Sequence, residues 1–151
     1  MLASQTNMAS TYQMLGRHEE ALRMKRDVYS GHLRLNGEED GQTLVAANNY
    51  ASALYNLKRF KEAKSLLRKL MPVARRVLGE SNDLTLRMRL MYAVALYEDP
   101  AATLDGLREA VTTLEDADRI ARRVLGSAHP VAAGIAEELC RARAALSARE
   151  E

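Results

Sequence analysis

The chain has 151 residues, 47% of them hydrophobic but only 5% aromatic, with no Trp and one Phe. That is one domain's length, and a core of Ala, Leu, Val, Met and a few Tyr points to packed helices rather than sheets. The net charge of +2 is too mild to imply nucleic acid by itself, and the single Cys140 excludes an internal disulfide and fits a reducing compartment.

In chain order, the sequence repeats itself. Asn7, Ala9, Glu20-Ala21 and Gly37 return 42 residues later as Asn49, Ala51, Glu62-Ala63 and Gly79. The register runs on through Tyr50 to Tyr92, Ala51 to Ala93 and Leu54 to Leu96. It then shifts to 47, pairing Glu62-Ala63 with Glu109-Ala110 and Leu78-Gly79 with Leu125-Gly126. The third copy therefore carries a five-residue insertion in its inter-helix turn. The expected organisation is a single repeat domain over 1–151, with repeats at about 2–43, 44–85 and 86–130 and a closing helix at about 131–147. It is either a complete chain or part of a longer array.

Repeat one begins inside its first helix, and Ser30-Gly31 is a weak point late in its second. Repeat two is the clearest copy. Leu44, Ala47, Ala51, Leu54 and Leu57 form one stripe of its first helix, and Phe60, Ala63, Leu66 or Leu67, Leu70, Ala74 and Val77 one stripe of its second. Small residues at Ala51 and Ala63 allow the two helices to approach closely. Asp40 and Asn82 are N-cap candidates, and His129-Pro130 puts proline at the first helical position. Gly37, Gly79 and Gly126 are placed to end helices in the left-handed conformation. Pro72 predicts a kink between Arg68 and Pro72.

In repeat three, Glu98-Asp99-Pro100 reads as a start signal, so its second helix is expected to begin about a turn and a half early. A break near Asp105-Gly106 is the alternative. The closing helix has one stripe (Val131 or Ala132, Ile135, Leu139, Ala142 and Leu146), as a solenoid end requires, and Ala148 to Glu151 are expected to fray.

These residues resemble the tetratricopeptide repeat, in the 42-residue form of kinesin light chains. The stretch NMASTYQMLGRHEEAL (Asn7 to Leu22) has that family's first-helix-and-turn pattern, and NNYASALYNLKRFKEA (Asn48 to Ala63) matches again with Lys58 where Gly is usual. LMYAVALY (Leu90 to Tyr97) is weaker, and the insertion after it departs from the pattern. The resemblance covers Leu2 to about Ala144 and implies an all-α, right-handed α-α superhelix of three helical hairpins plus a C-terminal capping helix.

It also implies that first helices line a concave groove holding a peptide or helix of another protein. By position, the expected contacts are Asn7, Ser10, Asn48, Asn49, Ser52, Asn56, Arg87 and Met91, flanked by Ala3, Thr6, Gln13, Val45, Leu90 and Val94. Asn and Gln amides suit this, because each can pair with a ligand backbone whatever its side chains. Some relatives clamp a C-terminal carboxylate. Asn49 and Arg87 fit two of those places, but Thr6, Ser10 and Met91 stand where Lys, Asn and Arg or Lys would be needed, so a full clamp is not expected.

No phosphate-binding glycine loop, CxxC, HExxH or GxSxG is present. His18, His32 and His129 are far apart in the repeat register, and Cys140 aligns with Ala9, Ala51 and Ala93 as a core thiol. The expectation is a non-catalytic scaffold with no cofactor and no metal. With no charged-then-apolar leader and no apolar run of about 18 residues, it is expected in the cytoplasm, with no membrane segment. The alternative is a structural or self-assembling segment of a longer array. RNA or an acidic partner on the basic face of repeat two (Lys58, Arg59, Lys61, Lys64, Arg68, Lys69, Arg75, Arg76) is less favoured, because a solvated, partly paired face explains such a run.

Overall fold

A computed structural model describes residues 17–151, and they form six α-helices and no strand. The helices are α1 (His18–Asn36), α2 (Gly41–Asn56), α3 (Phe60–Leu78), α4 (Asp83–Glu98), α5 (Leu104–Leu125) and α6 (Pro130–Glu150). They fall into two compact units, residues 1–77 and 78–151.

In the first unit α1 packs on α2. Leu22, Ala53, Leu54 and Ala63 form a buried cluster from all three helices, with Tyr50, Leu57 and Leu66 against it. The stripe read from the sequence is the one that is buried: Leu44, Ala47 and Ala51 are wholly inaccessible, as are Ala63, Leu67 and Ala74 of α3. Val77 is the exception and is exposed, Val73 being buried in its stead. Removing each such Leu from water contributes on the order of 2 kcal/mol. α3 is continuous through Pro72, and α1 through Ser30-Gly31.

Helix ends follow side-chain chemistry. Asp40 accepts hydrogen bonds from the backbone N–H groups of Gln42 (2.9 Å) and Thr43 (3.2 Å), Asn82 from Leu84 (2.9 Å), and His129 Nδ1 from Val131 (3.2 Å), with Pro130 at the first helical position. Each oxygen or nitrogen satisfies a donor that the helix itself leaves without a partner. Gly37, Gly79 and Gly126 do take positive φ (84°, 94° and 85°). At Gly37 and Gly126, however, ψ is 170° and 151°, extended rather than left-handed helical. That region is open essentially to glycine alone.

The second unit stacks α5 on both α4 and α6, with α4 also touching α6. Leu86, Met88 and Ala93, then Ala110, Leu114 and Ala121, then Ile135 and Ala142, are all fully buried. The early start of α5 is real but shorter than the sequence suggests. It begins at Leu104, three residues before Leu107, the counterpart of Phe60. Asp99-Pro100 forms a turn instead of a helix start: the Asp99 carboxylate accepts from Ala101 N–H (2.9 Å) and its carbonyl from Ala102 N–H (2.9 Å). Thr103 is the cap, its hydroxyl accepting from Gly106 N–H at 3.0 Å. Gly106 therefore belongs to the first turn and no break follows it.

The C-terminal residues do not fray as expected. Ala148, Arg149 and Glu150 continue α6. Arg149 donates to the Ala102 carbonyl (2.9 Å), and Glu150 lies 3.9 Å from Arg108, so the end of α6 is tied to the insertion turn.

Candidate partner-binding surface

The polar residues expected in the groove fall in three places. Asn7 and Ser10, with Ala3, Thr6 and Gln13, lie outside the described residues. In the first unit, Asn48, Asn49, Ser52 and Asn56, with Val45, share one side of α2, because steps of three, four and seven residues return to the same face. That side is opposite the buried stripe of Leu44, Ala47, Ala51 and Leu54. Asn56 and Val45 are exposed, whereas Asn48, Asn49 and Ser52 are half-buried. The Asn48 carboxamide oxygen is itself buried and accepts no hydrogen bond. A buried acceptor left unmade costs on the order of 1–3 kcal/mol.

In the second unit, Arg87, Leu90 and Met91 occupy the corresponding side of α4. Arg87 is exposed and its guanidinium is held by Asp83 at 2.7 Å, one helical turn away. Leu90 and Met91 are half-buried. Val94 does not line an accessible surface: it is buried at 7% exposure, in a unit where α6 packs against α4.

The repeat register points to residues that the sequence reading left out. Positions 90, 91 and 94 advance by 47 to Glu137, Glu138 and Arg141 on α6. Arg141 donates to Glu137 (2.7 Å) and Glu138 (3.0 Å), and Glu138 accepts from the Tyr97 hydroxyl. Burial, with the hydrogen-bonded carboxylate of Glu138 beside it, holds the Tyr97 phenol well above its usual pKa. The closing helix thus carries a charged, internally bonded row where α2 carries amides. The same 47-residue offset was already in the sequence and identifies the row.

Two further positions depart from expectation. Cys140 is exposed, not a core thiol. Its counterparts Ala51 and Ala93 are buried because a second helix follows α2 and α4 in the chain, and none of the described helices follows α6. Arg89 is buried at 3% exposure, with Asp116 at 3.9 Å, although its counterpart is the core residue Ala47.

Helical hairpins in a repeating register, with a polar row on the outer side of the first helix, define an all-α helical-repeat protein. Residues 1–69 match the tetratricopeptide repeat family model, and the kinesin-light-chain-like resemblance read from the sequence is borne out by solved structures. A single-substitution variant of a Podosopora anserina protein, assigned as a kinesin light chain with nearly identical TPR-like repeats, is 26% identical. The match covers 95% of this chain and 66% of that one, with a TM-score of 0.85. The same protein without the substitution gives the same identity and coverage and a TM-score of 0.83. BtubC (BKLC) from P. vanneervenii, 16% identical over 97% of this chain and 64% of its own, shares the fold at a TM-score of 0.61. The chain spans a little under two thirds of the length of these solved relatives. A search of the curated proteins found no match.

Tetratricopeptide repeats are in general protein-interaction scaffolds and not catalysts. Among the described residues no group of three or more His, Cys, Asp or Glu could hold a metal ion, and no helix is long and apolar enough to cross a membrane.

Proposed function

We propose that this chain is a non-catalytic scaffold that holds an extended or helical segment of a partner protein against the first helices of its repeats. The observation that carries the reading is the amide row of α2. Asn48, Asn49, Ser52 and Asn56 share the side opposite the core, and their side-chain oxygens are acceptors. An extended backbone offers N–H groups to such acceptors and C=O groups to the amide donors, whatever its side chains. By repeat register, Asn7 and Ser10 take the same role in repeat one and Arg87 and Met91 in repeat three, where Met91 and Leu90 suit an aliphatic or aromatic side chain. A cytoplasmic adaptor fits this chemistry.

The test has two stages. Photo-cross-linking from α2 in a native lysate identifies the captured segment, which is then synthesised. Calorimetry should give a Kd at least about tenfold weaker for Asn48→Ala plus Asn49→Ala than for the parent chain, as expected when contacts at the centre of an interface are removed. Circular dichroism should be unchanged. Equal affinity with unchanged helicity would sink the proposal. The free acid and the C-terminal amide of the peptide should bind alike, because the residues of a carboxylate clamp are incomplete.

A further inference from the structure

The two units carry opposite charge. Residues 1–77 hold 13 Lys and Arg against 7 Asp and Glu, a net of +6, and residues 78–151 hold 9 against 13, a net of −4. All five lysines are in the first unit. The overall +2 conceals this division.

The positive excess is concentrated on α3. Lys61, Lys69 and Arg75 are exposed on the side away from Phe60, Ala63, Leu67, Leu70 and Ala74, which face the core. On α3 itself the one acid is Glu62, taken by Arg59 at 2.8 Å, and Glu39 is taken by Arg76 at 2.7 Å.

The second unit is the reverse case. Its arginines are largely engaged by its own carboxylates: Arg87 by Asp83, Arg119 by Asp116, Arg122 by Asp118, Arg141 by Glu137 and Glu138, and Arg143 by Glu115. It therefore presents an acid excess with few cations left to repel a basic surface.

From this polarity we propose that the outer side of α3 in one copy docks on the acidic second unit of another copy. The occupant is a second copy of this chain because its complementary charge is on the same molecule, in comparable amount. Such a contact joins two different surfaces, so each molecule keeps one of each free. Association is then head-to-tail and grows with concentration instead of stopping at a dimer. The attraction is between exposed charges, screened over about 10 Å at 0.1 M salt and about 3 Å at 1 M. It is correspondingly weak and salt-dependent.

Sedimentation at about 50 mM salt, where screening is weak, should give a mass that rises with protein concentration, and at about 500 mM an apparent Kd at least about tenfold weaker. K61E/K69E/R75E, all at exposed positions, should keep its helicity and remain monomeric. Mixed with the parent chain it should lower the mean mass, because its acidic unit still binds and its α3 no longer does, so it ends growing chains. A monomeric parent at every concentration at low salt would overturn the proposal, as would undiminished association by the variant. A monomeric parent that binds a polyuridine probe through these three residues would also overturn it and assign the face to nucleic acid.

Discussion

The hairpins α2/α3 and α4/α5 bury the same register of residues but turn the corner with different chemistry. In the first, α2 ends at Asn56 with Leu57 as its C-cap. The Lys58 N–H bonds the Tyr55 carbonyl (2.8 Å), and the Arg59 N–H bonds the Leu54 carbonyl (2.9 Å), which is the Schellman pattern. Lys58 occupies the positive-φ position (φ 60°) normally given to glycine. The second hairpin spends its five extra residues on an Asp99 turn and a Thr103 cap. Packing is shared because the apolar stripes must interlock at the same depth. Turns lie at the surface, where any chemistry that satisfies the backbone serves.

The comparison is most severely tested in the core. Leu67 and Leu114 are counterparts at the 47-residue offset, and both are fully buried. Leu67→Ala and Leu114→Ala should each cost about 3 kcal/mol in urea unfolding. A difference beyond about 2 kcal/mol, larger than ordinary site-to-site relaxation, would mean that the hairpins are not packed alike.

The turns should respond in opposite directions. Lys58→Gly relieves a left-handed residue and should stabilise by about 1 kcal/mol, visible as a raised Tm. Thr103→Ala removes the cap that the longer turn depends on and should lower stability by about 1 kcal/mol. An unchanged Tm for Thr103→Ala would show that the insertion turn is held by Asp99 and the Arg149–Ala102 bond alone.

The smallest expected effect is at Tyr97. The folded protein keeps this phenol protonated at pH values where the unfolded chain has lost the proton. Its contribution is therefore complete below the unfolded pKa of about 10 and declines as pH rises beyond it. Tyr97→Phe should flatten the alkaline loss of stability seen by chemical denaturation between pH 9 and 11, the range around the unfolded tyrosine pKa of about 10. An unaltered alkaline limb would show that Tyr97 is not the group responsible.

Much of the fold could be read from the sequence because its signals are local or periodic. Asp40, Asn82 and His129-Pro130 cap helices by reaching only two or three residues, and the stripe of Leu44, Ala47, Ala51 and Leu54 is a matter of spacing. The misreadings arise where a residue's surroundings come from another part of the chain. Val94 is buried in a unit where α6 lies against α4, Cys140 is bare where no described helix follows it, and Arg149 orders the end of α6 by reaching a carbonyl 47 residues away. Arg89 escapes for a different reason: the register puts it at a core position, but its charge argues otherwise, and the Asp116 carboxylate 3.9 Å away comes from another helix. Asp99-Pro100 has the composition of a helix start, and only the backbone bonds distinguish a turn from it. For the candidate surface, spacing alone places Asn48, Asn49, Ser52 and Asn56 on one side of α2. That the Asn48 oxygen is buried without a donor could not be read from spacing.

The two surfaces of the first unit, the amide row of α2 and the basic side of α3, give the account its most direct test. Amide-resolved NMR of the chain, titrated with the captured partner peptide at about 0.15 M salt, where exposed charges are screened beyond about 8 Å, reports which surface is occupied. The account predicts shifts concentrated at Asn48, Asn49, Ser52 and Asn56, with Lys61, Lys69 and Arg75 unmoved. Shifts confined to those three basic residues, with the α2 amides unmoved, would contradict it.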